Sequence, residues 1–106
     1  MEGFVKVAQR GEVAAGELKL VEAEGEQIVL AELGGEVIAF ANLCTHEDCD
    51  LVYGAIDDDE EIECDCHGSR FNVRTGAVTQ PPAVDSLPVY TVRIDGDDVL
   101  VGPAGR

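Results

Sequence analysis

Residues 27–42 read Gln27-Ile28-Val29-Leu30-Ala31-Glu32-Leu33-Gly34-Gly35-Glu36-Val37-Ile38-Ala39-Phe40-Ala41-Asn42, and this stretch decides the fold class. Two β-rich runs, 27–33 and 36–42, flank the pair Gly34-Gly35. Two glycines can take positive φ at both central positions of a tight turn, which joins neighbouring strands into an antiparallel hairpin. Working outward, Phe4 to Ala8 and Leu18 to Ala23 read as earlier strands. Near the end, Val89 to Ile94 and Asp97 to Val101 flank Asp95-Gly96, a second hairpin signal. There Tyr90, Val92 and Ile94 alternate with Thr91 and Arg93, as one buried and one open face require. Helical periodicity is scarce. The pattern predicts an all-β fold, a small antiparallel β-sandwich. Residues 43–83 break the rhythm and read as a loop-rich subdomain inserted between strands of the framework, ending at Gln80-Pro81-Pro82.

The 106 residues suffice for one domain, expected to span 1–106. Aromatics are only 5% and Trp is absent, so the core must be built from Val, Leu, Ile and Ala. No apolar run is long enough to cross a bilayer, and Met1-Glu2-Gly3-Phe4 lacks the pattern of a signal peptide. A cytoplasmic protein is the expectation. The net charge of −15 is concentrated: residues 20 to 69 hold fifteen carboxylates and no Lys or Arg. Like-charge repulsion argues against nucleic acid or an anionic membrane as partner, and a basic protein surface fits instead. Solubility alone would also account for the acids.

All four cysteines and both histidines lie between positions 44 and 67. One cluster reads Cys44-Thr45-His46 followed by Cys49; the other reads Cys64-Asp65-Cys66-His67-Gly68-Ser69. Each offers a Cys and a His at metal-ligand spacing. Tetrahedral zinc in a structural or interaction module is one reading. Zinc sites, however, more often use a Cys pair followed by a later His pair, whereas here each half supplies one of each.

Cys-x-His in one loop and Cys-x-x-His-Gly in a second resemble the Rieske ferredoxin family. That resemblance implies a Rieske-like sandwich with a cluster-binding subdomain at about 43–83 and one [2Fe–2S] cluster per chain. It implies Cys44 and Cys64 as thiolate ligands of one iron, and His46 and His67 as imidazole ligands of the other. Two thiolates balance the charge of the oxidised core, so an electron enters a neutral site and the potential lies above that of a four-cysteine cluster. The stretch from Phe71 to Gly76, continuing through Val78 and Pro81-Pro82 to Leu87-Pro88-Val89, looks like ferredoxins of ring-hydroxylating dioxygenases. Pro81 and Pro82 stand where that family's third, covering loop is expected.

Cys49 and Cys66 depart from the dioxygenase ferredoxins and resemble the extra pair of high-potential Rieske proteins, where a disulfide staples the two loops. Two reduced thiols are the alternative in a reducing compartment. Ser69 matches a serine whose hydroxyl donates to a bridging sulfide in those proteins; Phe71 stands where they have a donating tyrosine. Gly68 is expected to let backbone amides approach the sulfurs. The resemblance implies a one-electron carrier between a reductase and a terminal oxygenase or similar enzyme, and no catalysis by the chain alone. A subunit of a higher-potential oxidoreductase, or of a nitrite-reductase-like complex, is the alternative that keeps the cluster. Glu47, Asp48 and Asp50 are candidates for steering a basic partner. Arg70 and Arg74 either pair locally or mark a docking edge.

Overall fold

The computed structural model describes residues 3–45, 49–66, 68–81 and 83–104 of the chain. Nine strands account for about half of them: β1 (Val5–Gln9), β2 (Leu18–Ala23), β3 (Glu26–Leu33), β4 (Glu36–Ala41), β5 (Glu61–Glu63), β6 (Arg70–Asn72), β7 (Val78–Gln80), β8 (Val89–Asp95) and β9 (Asp98–Ala104). Two short 3-10 turns, Arg10–Glu12 and Leu51–Tyr53, are the only helical elements among the described residues. Six strands form one antiparallel sheet in the order β1-β9-β8-β4-β3-β2, and β5, β6 and β7 form a second. The all-β expectation holds.

The β3–β4 hairpin is a wall shared by two cores. Period-two alternation sends Ile28, Leu30, Val37 and Ala39 into a core completed by Ala8, Val13, Tyr90, Val99 and Val101. Their neighbours Val29, Ala31, Ile38 and Phe40 enter a second core with Leu51, Ile62, Phe71, Val73 and Leu87. Cross-strand pairs match this division: Val29 faces Phe40, and Leu30 faces Ala39. A strand buried on both faces reads as an unbroken apolar run, which is why 28–31 carries no polar residue.

Gly34 and Gly35 take φ of 59° and 86°, the two-residue turn expected of them. Glu24-Gly25 makes the same kind of turn between β2 and β3, with Glu24 itself at φ 51°. The last hairpin differs by one residue from expectation. Asp95 pairs with Asp98, so the turn is Gly96-Asp97, and β9 runs on to Ala104.

The second sheet is small and rich in ion pairs. Arg70 on β6 lies between Glu61 and Glu63 of the neighbouring strand, at 3.0 and 3.3 Å, and also pairs with Asp57. The Asp57 carboxylate accepts the backbone N–H groups of Asp59 and Glu61 at 2.9 and 3.0 Å. Arg74 ties this sheet to the frame, holding Glu60 at 2.8 Å and Glu36 of β4 at 2.7 Å. Both arginines therefore pair locally. Neighbouring carboxylates hold both guanidinium pKa values above the ordinary value. The Glu61 N–H, with Asp59 N–H and Arg70 beside it, holds the Asp57 carboxyl below its ordinary value despite partial desolvation.

Candidate metal centre

The first cysteine loop leaves β4 through Asn42. Two buried polar side chains occur among the described residues, and Asn42 is one of them. Its amide nitrogen donates to Gln27 Oε1 at 2.9 Å and Asp50 Oδ1 at 3.2 Å, and its Oδ1 accepts the Val52 N–H at 3.0 Å. Its main chain accepts the Leu51 N–H at 2.7 Å. One residue thus clamps both ends of the loop. Above the clamp, Leu43 bridges Asp50, and the Cys44 N–H donates to the Cys49 carbonyl at 3.0 Å.

The second loop spans the β5–β6 connection. Cys64 N–H donates to the Ser69 carbonyl at 2.7 Å, and Gly68 N–H donates to the Cys64 carbonyl at 2.9 Å. Gly68 takes φ +79°, while a Cβ there would meet Glu63 Oε2 and Gln80 Nε2 only at ordinary contact distances. Glycine is needed for this backbone turn rather than for room. The Gln80 side chain donates to the Gly68 carbonyl at 2.9 Å, tying β7 to the loop.

A disulfide between Cys49 and Cys66 joins the two loops, with their Cα atoms 6.4 Å apart. Cys44 and Cys64 lie outside that bond, and both are buried, at 2% and 1% exposure. They contribute to the core formed with Phe40, Ile62 and Phe71. Two dry sulfurs on stapled loops suit the thiolate half of an iron–sulfur site, which polar surroundings would expose to water. His46 and His67 lie outside the described residues, as do Glu47, Asp48 and Pro82.

Ser69 is the second buried polar side chain. Its Oγ accepts the Ala83 N–H at 3.0 Å, which leaves the hydroxyl hydrogen to donate elsewhere. The same contact docks the segment after the prolines onto the second loop. Thr45 Oγ1 docks that segment onto the first, donating to the Asp85 carbonyl at 2.7 Å. Pro81 itself is exposed at the start of this segment. Phe71 is fully buried and packs in the core that holds both cysteines.

The sulfurs of Cys49, Cys64 and Cys66 lie within 4.8 Å of one another. This trio is no metal site, because its first and last members are oxidised to each other. It does place Cys64 against the disulfide. Beside it, Asp50, Tyr53 and Asp65 line an open cleft with Cys49 and Cys66, and Tyr53 is 78% exposed. Asn42, Thr45 and Gln80 were not singled out from sequence. Only Asn42 carried a signal, a polar residue closing an apolar strand immediately before a cysteine loop.

The Rieske [2Fe–2S] domain family matches residues 3–91. The biphenyl dioxygenase ferredoxin subunit of Pseudomonas sp. (strain KKS102) is 38% identical over 98 residues, covering 92% of this chain and 90% of its own. Among solved structures, the ferredoxin of carbazole 1,9a-dioxygenase from Nocardioides aromaticivorans IC177 superposes with a TM-score of 0.88 at 35% identity, covering 96% of this chain and 99% of that one. A ferredoxin solved in complex with reduced oxygenase in carbazole 1,9a-dioxygenase gives a TM-score of 0.84 at 30% identity, covering 100% and 96%.

Proposed function

Because this chain belongs to the Rieske [2Fe–2S] domain family, we propose that it is the ferredoxin of a ring-hydroxylating oxygenase system, an electron-transfer protein and not a catalyst by itself. The observation that carries this reading is the match to a dioxygenase ferredoxin subunit over nine-tenths of both chains. Cys44 and Cys64 are assigned as the thiolate ligands, with His46 and His67 as the imidazole ligands of one cluster per chain, held in the subdomain at about 43–83. Such a cluster, when bound, takes up and releases one electron at a time.

The chain's own residues set the conditions for that exchange. Burial of Cys44 and Cys64 keeps water from the sulfurs. The disulfide and the Asn42 clamp hold the loops in place before and after the electron moves, which keeps reorganisation small. The spare hydrogen of Ser69 Oγ can stabilise added negative charge, and Phe71 offers no second donor. The reading includes a cytoplasmic carrier. No helix among the described residues is long and apolar enough to cross a membrane. The relative solved in complex with a terminal oxygenase supports the choice of partner, and the net charge of −15 fits basic docking surfaces on that oxygenase and on a reductase.

Anaerobically purified protein should contain iron and acid-labile sulfide in equal amounts. It should pass electrons to a ring-hydroxylating terminal oxygenase at a rate that falls as salt rises. Zinc in place of iron overturns the reading, and a salt-insensitive rate removes the steering by charge. By voltammetry, Ser69→Ala should lower the midpoint potential and Phe71→Tyr should raise it. Unchanged potentials in both variants would dismiss the hydrogen-bonding account.

A further inference from the structure

Electron transfer leaves one arrangement unused: three sulfurs, of Cys49, Cys64 and Cys66, gathered within 4.8 Å where the assigned ligand set needs only that of Cys64. We propose that this trio is a thiol–disulfide exchange relay, through which loss of iron moves the disulfide from Cys49–Cys66 to Cys49–Cys64. The proposal rests on the reading of Cys64 as an iron ligand. While iron is bound, the Cys64 sulfur is committed to it and the native disulfide stands. Once iron leaves, that sulfur lies beside a disulfide it can attack.

The step balances without an outside oxidant. The Cys64 sulfur forms a bond to Cys49 Sγ, the Cys49–Cys66 bond breaks, and the thiol proton ends on Cys66. One disulfide is consumed and one is made, and the number of thiols is conserved. Attack on Cys49 is favoured over attack on Cys66. Attack on Cys66 would close a ring between residues only two apart, which strains disulfide geometry. Attack on Cys49 keeps the two loops stapled, closing a loop nearly as long as the native separation of 17, so chain entropy barely changes. It also expels Cys66, an exposed residue whose released thiol is solvated, while Cys64 remains buried.

Competition from external thiols is weak at this place. The cleft over Cys49 and Cys66 is flanked by Asp50 and Asp65, in a chain of net charge −15. An anionic thiol such as glutathione is repelled there, whereas Cys64 is already in place at high effective concentration. The consequence is a latch. A chain that has lost iron consumes one of its own ligands, and it can accept a cluster again only after a dithiol reductant restores Cys64.

The test starts from iron-loaded protein whose iron content and spectrum have been recorded. Iron is removed with a chelator at neutral pH under argon, without reductant. Exposed thiols are then alkylated, the chain is denatured and alkylated again with a second mass tag, and the disulfides are mapped by mass spectrometry. The expected product carries a Cys49–Cys64 link, a first-tag label on Cys66, and two alkylated thiols per chain in total. An intact Cys49–Cys66 link with Cys64 alkylated overturns the relay. A Cys44–Cys64 link with no thiol left also overturns it, because that is oxidation and not exchange. Starting protein without iron defeats the functional reading itself, which separates the two failures. Rebinding supplies a second readout: iron and sulfide alone should fail to restore the spectrum, and prior treatment with a dithiol should restore it. Full recovery without the dithiol contradicts the latch.

Discussion

Strand β3 pairs with β4 over six successive residues, from Ile28–Ala41 to Leu33–Glu36, whereas β6 meets β7 at two positions with a register break between them. The larger sheet is held by length, register and two apolar cores. The smaller sheet has three-residue strands, shares one of those cores through Ile62 and Phe71, and adds discrete ties: a disulfide, two arginines among carboxylates, and the buried side chains of Asn42 and Ser69. The difference suits the task. A continuous frame supplies stability, and the small lobe uses polar and covalent ties that fix a few atoms around a site that apolar packing alone would leave less directed.

The sharpest way to break this comparison is to weaken the frame. Leu30 is fully buried in the core between the frame's own strands. Leu30→Ala should cost about 2–5 kcal/mol and lower the melting temperature by roughly 10–25 °C, with frame and lobe unfolding together. A lobe that stays folded after the frame melts would show that the lobe does not depend on the frame.

Removing the staple should act differently. The double change Cys49→Ser, Cys66→Ser opens a loop with a sequence separation of 17, worth about 3 kcal/mol if chain entropy dominates. Hydrogen exchange should speed up in the two cysteine loops and in β5–β7, and remain slow in β3 and β4. Uniform acceleration would mean that the disulfide stabilises the whole molecule and that the two regions are not separate in this respect. Asn42→Ala is a smaller change of the same kind. It leaves the partly buried Val52 N–H without its acceptor, at about 1–3 kcal/mol, and should loosen Leu51 and Val52 while β3 stays protected.

The contrast between regions also explains what the sequence made legible. Frame strands announce themselves through alternation and glycine turns, so Leu18–Ala23 and the Gly34-Gly35 hairpin were readable to within a residue. The Glu24-Gly25 turn was not, because Glu24 is a non-glycine held at positive φ by the strands it joins. The Gly96-Asp97 turn was misplaced by one residue because Gly96 has an Asp on either side, so Asp95-Gly96 and Gly96-Asp97 are both acceptable central pairs. In the lobe, the ligand-type residues stood out by chemistry, and the pairing of Cys49 with Cys66 followed from resemblance. What holds them did not stand out. Gln80 reaches Gly68 across 12 positions and Thr45 reaches Asp85 across 40, contacts with no local pattern to reveal them. The acidic run at 57–61 places three of its members in ion pairs because Arg70 and Arg74 are brought to it by β-pairing and the following turn.

Asp57→Asn should have the smallest effect and isolates the electrostatic part of the lobe's ties. The Asp57 carboxyl titrates below its ordinary value of 3.8, chiefly because it accepts the Glu61 N–H, with Arg70 adding attraction. A carboxyl whose folded pKa is depressed stabilises the fold fully above its unfolded value, and that contribution disappears as pH falls through the folded one. Wild type should therefore exceed Asp57→Asn slightly in stability near neutrality, and the gap should close as pH drops below about 3.8. Asn keeps an oxygen for the two backbone N–H groups, so whatever gap remains at neutral pH reports the charge facing Arg70. Because this pair is open to solvent, molar salt should shrink the gap as well. A gap that persists unchanged in acid would assign the role of Asp57 to turn geometry, and the polar ties of the lobe would then owe little to charge at that position.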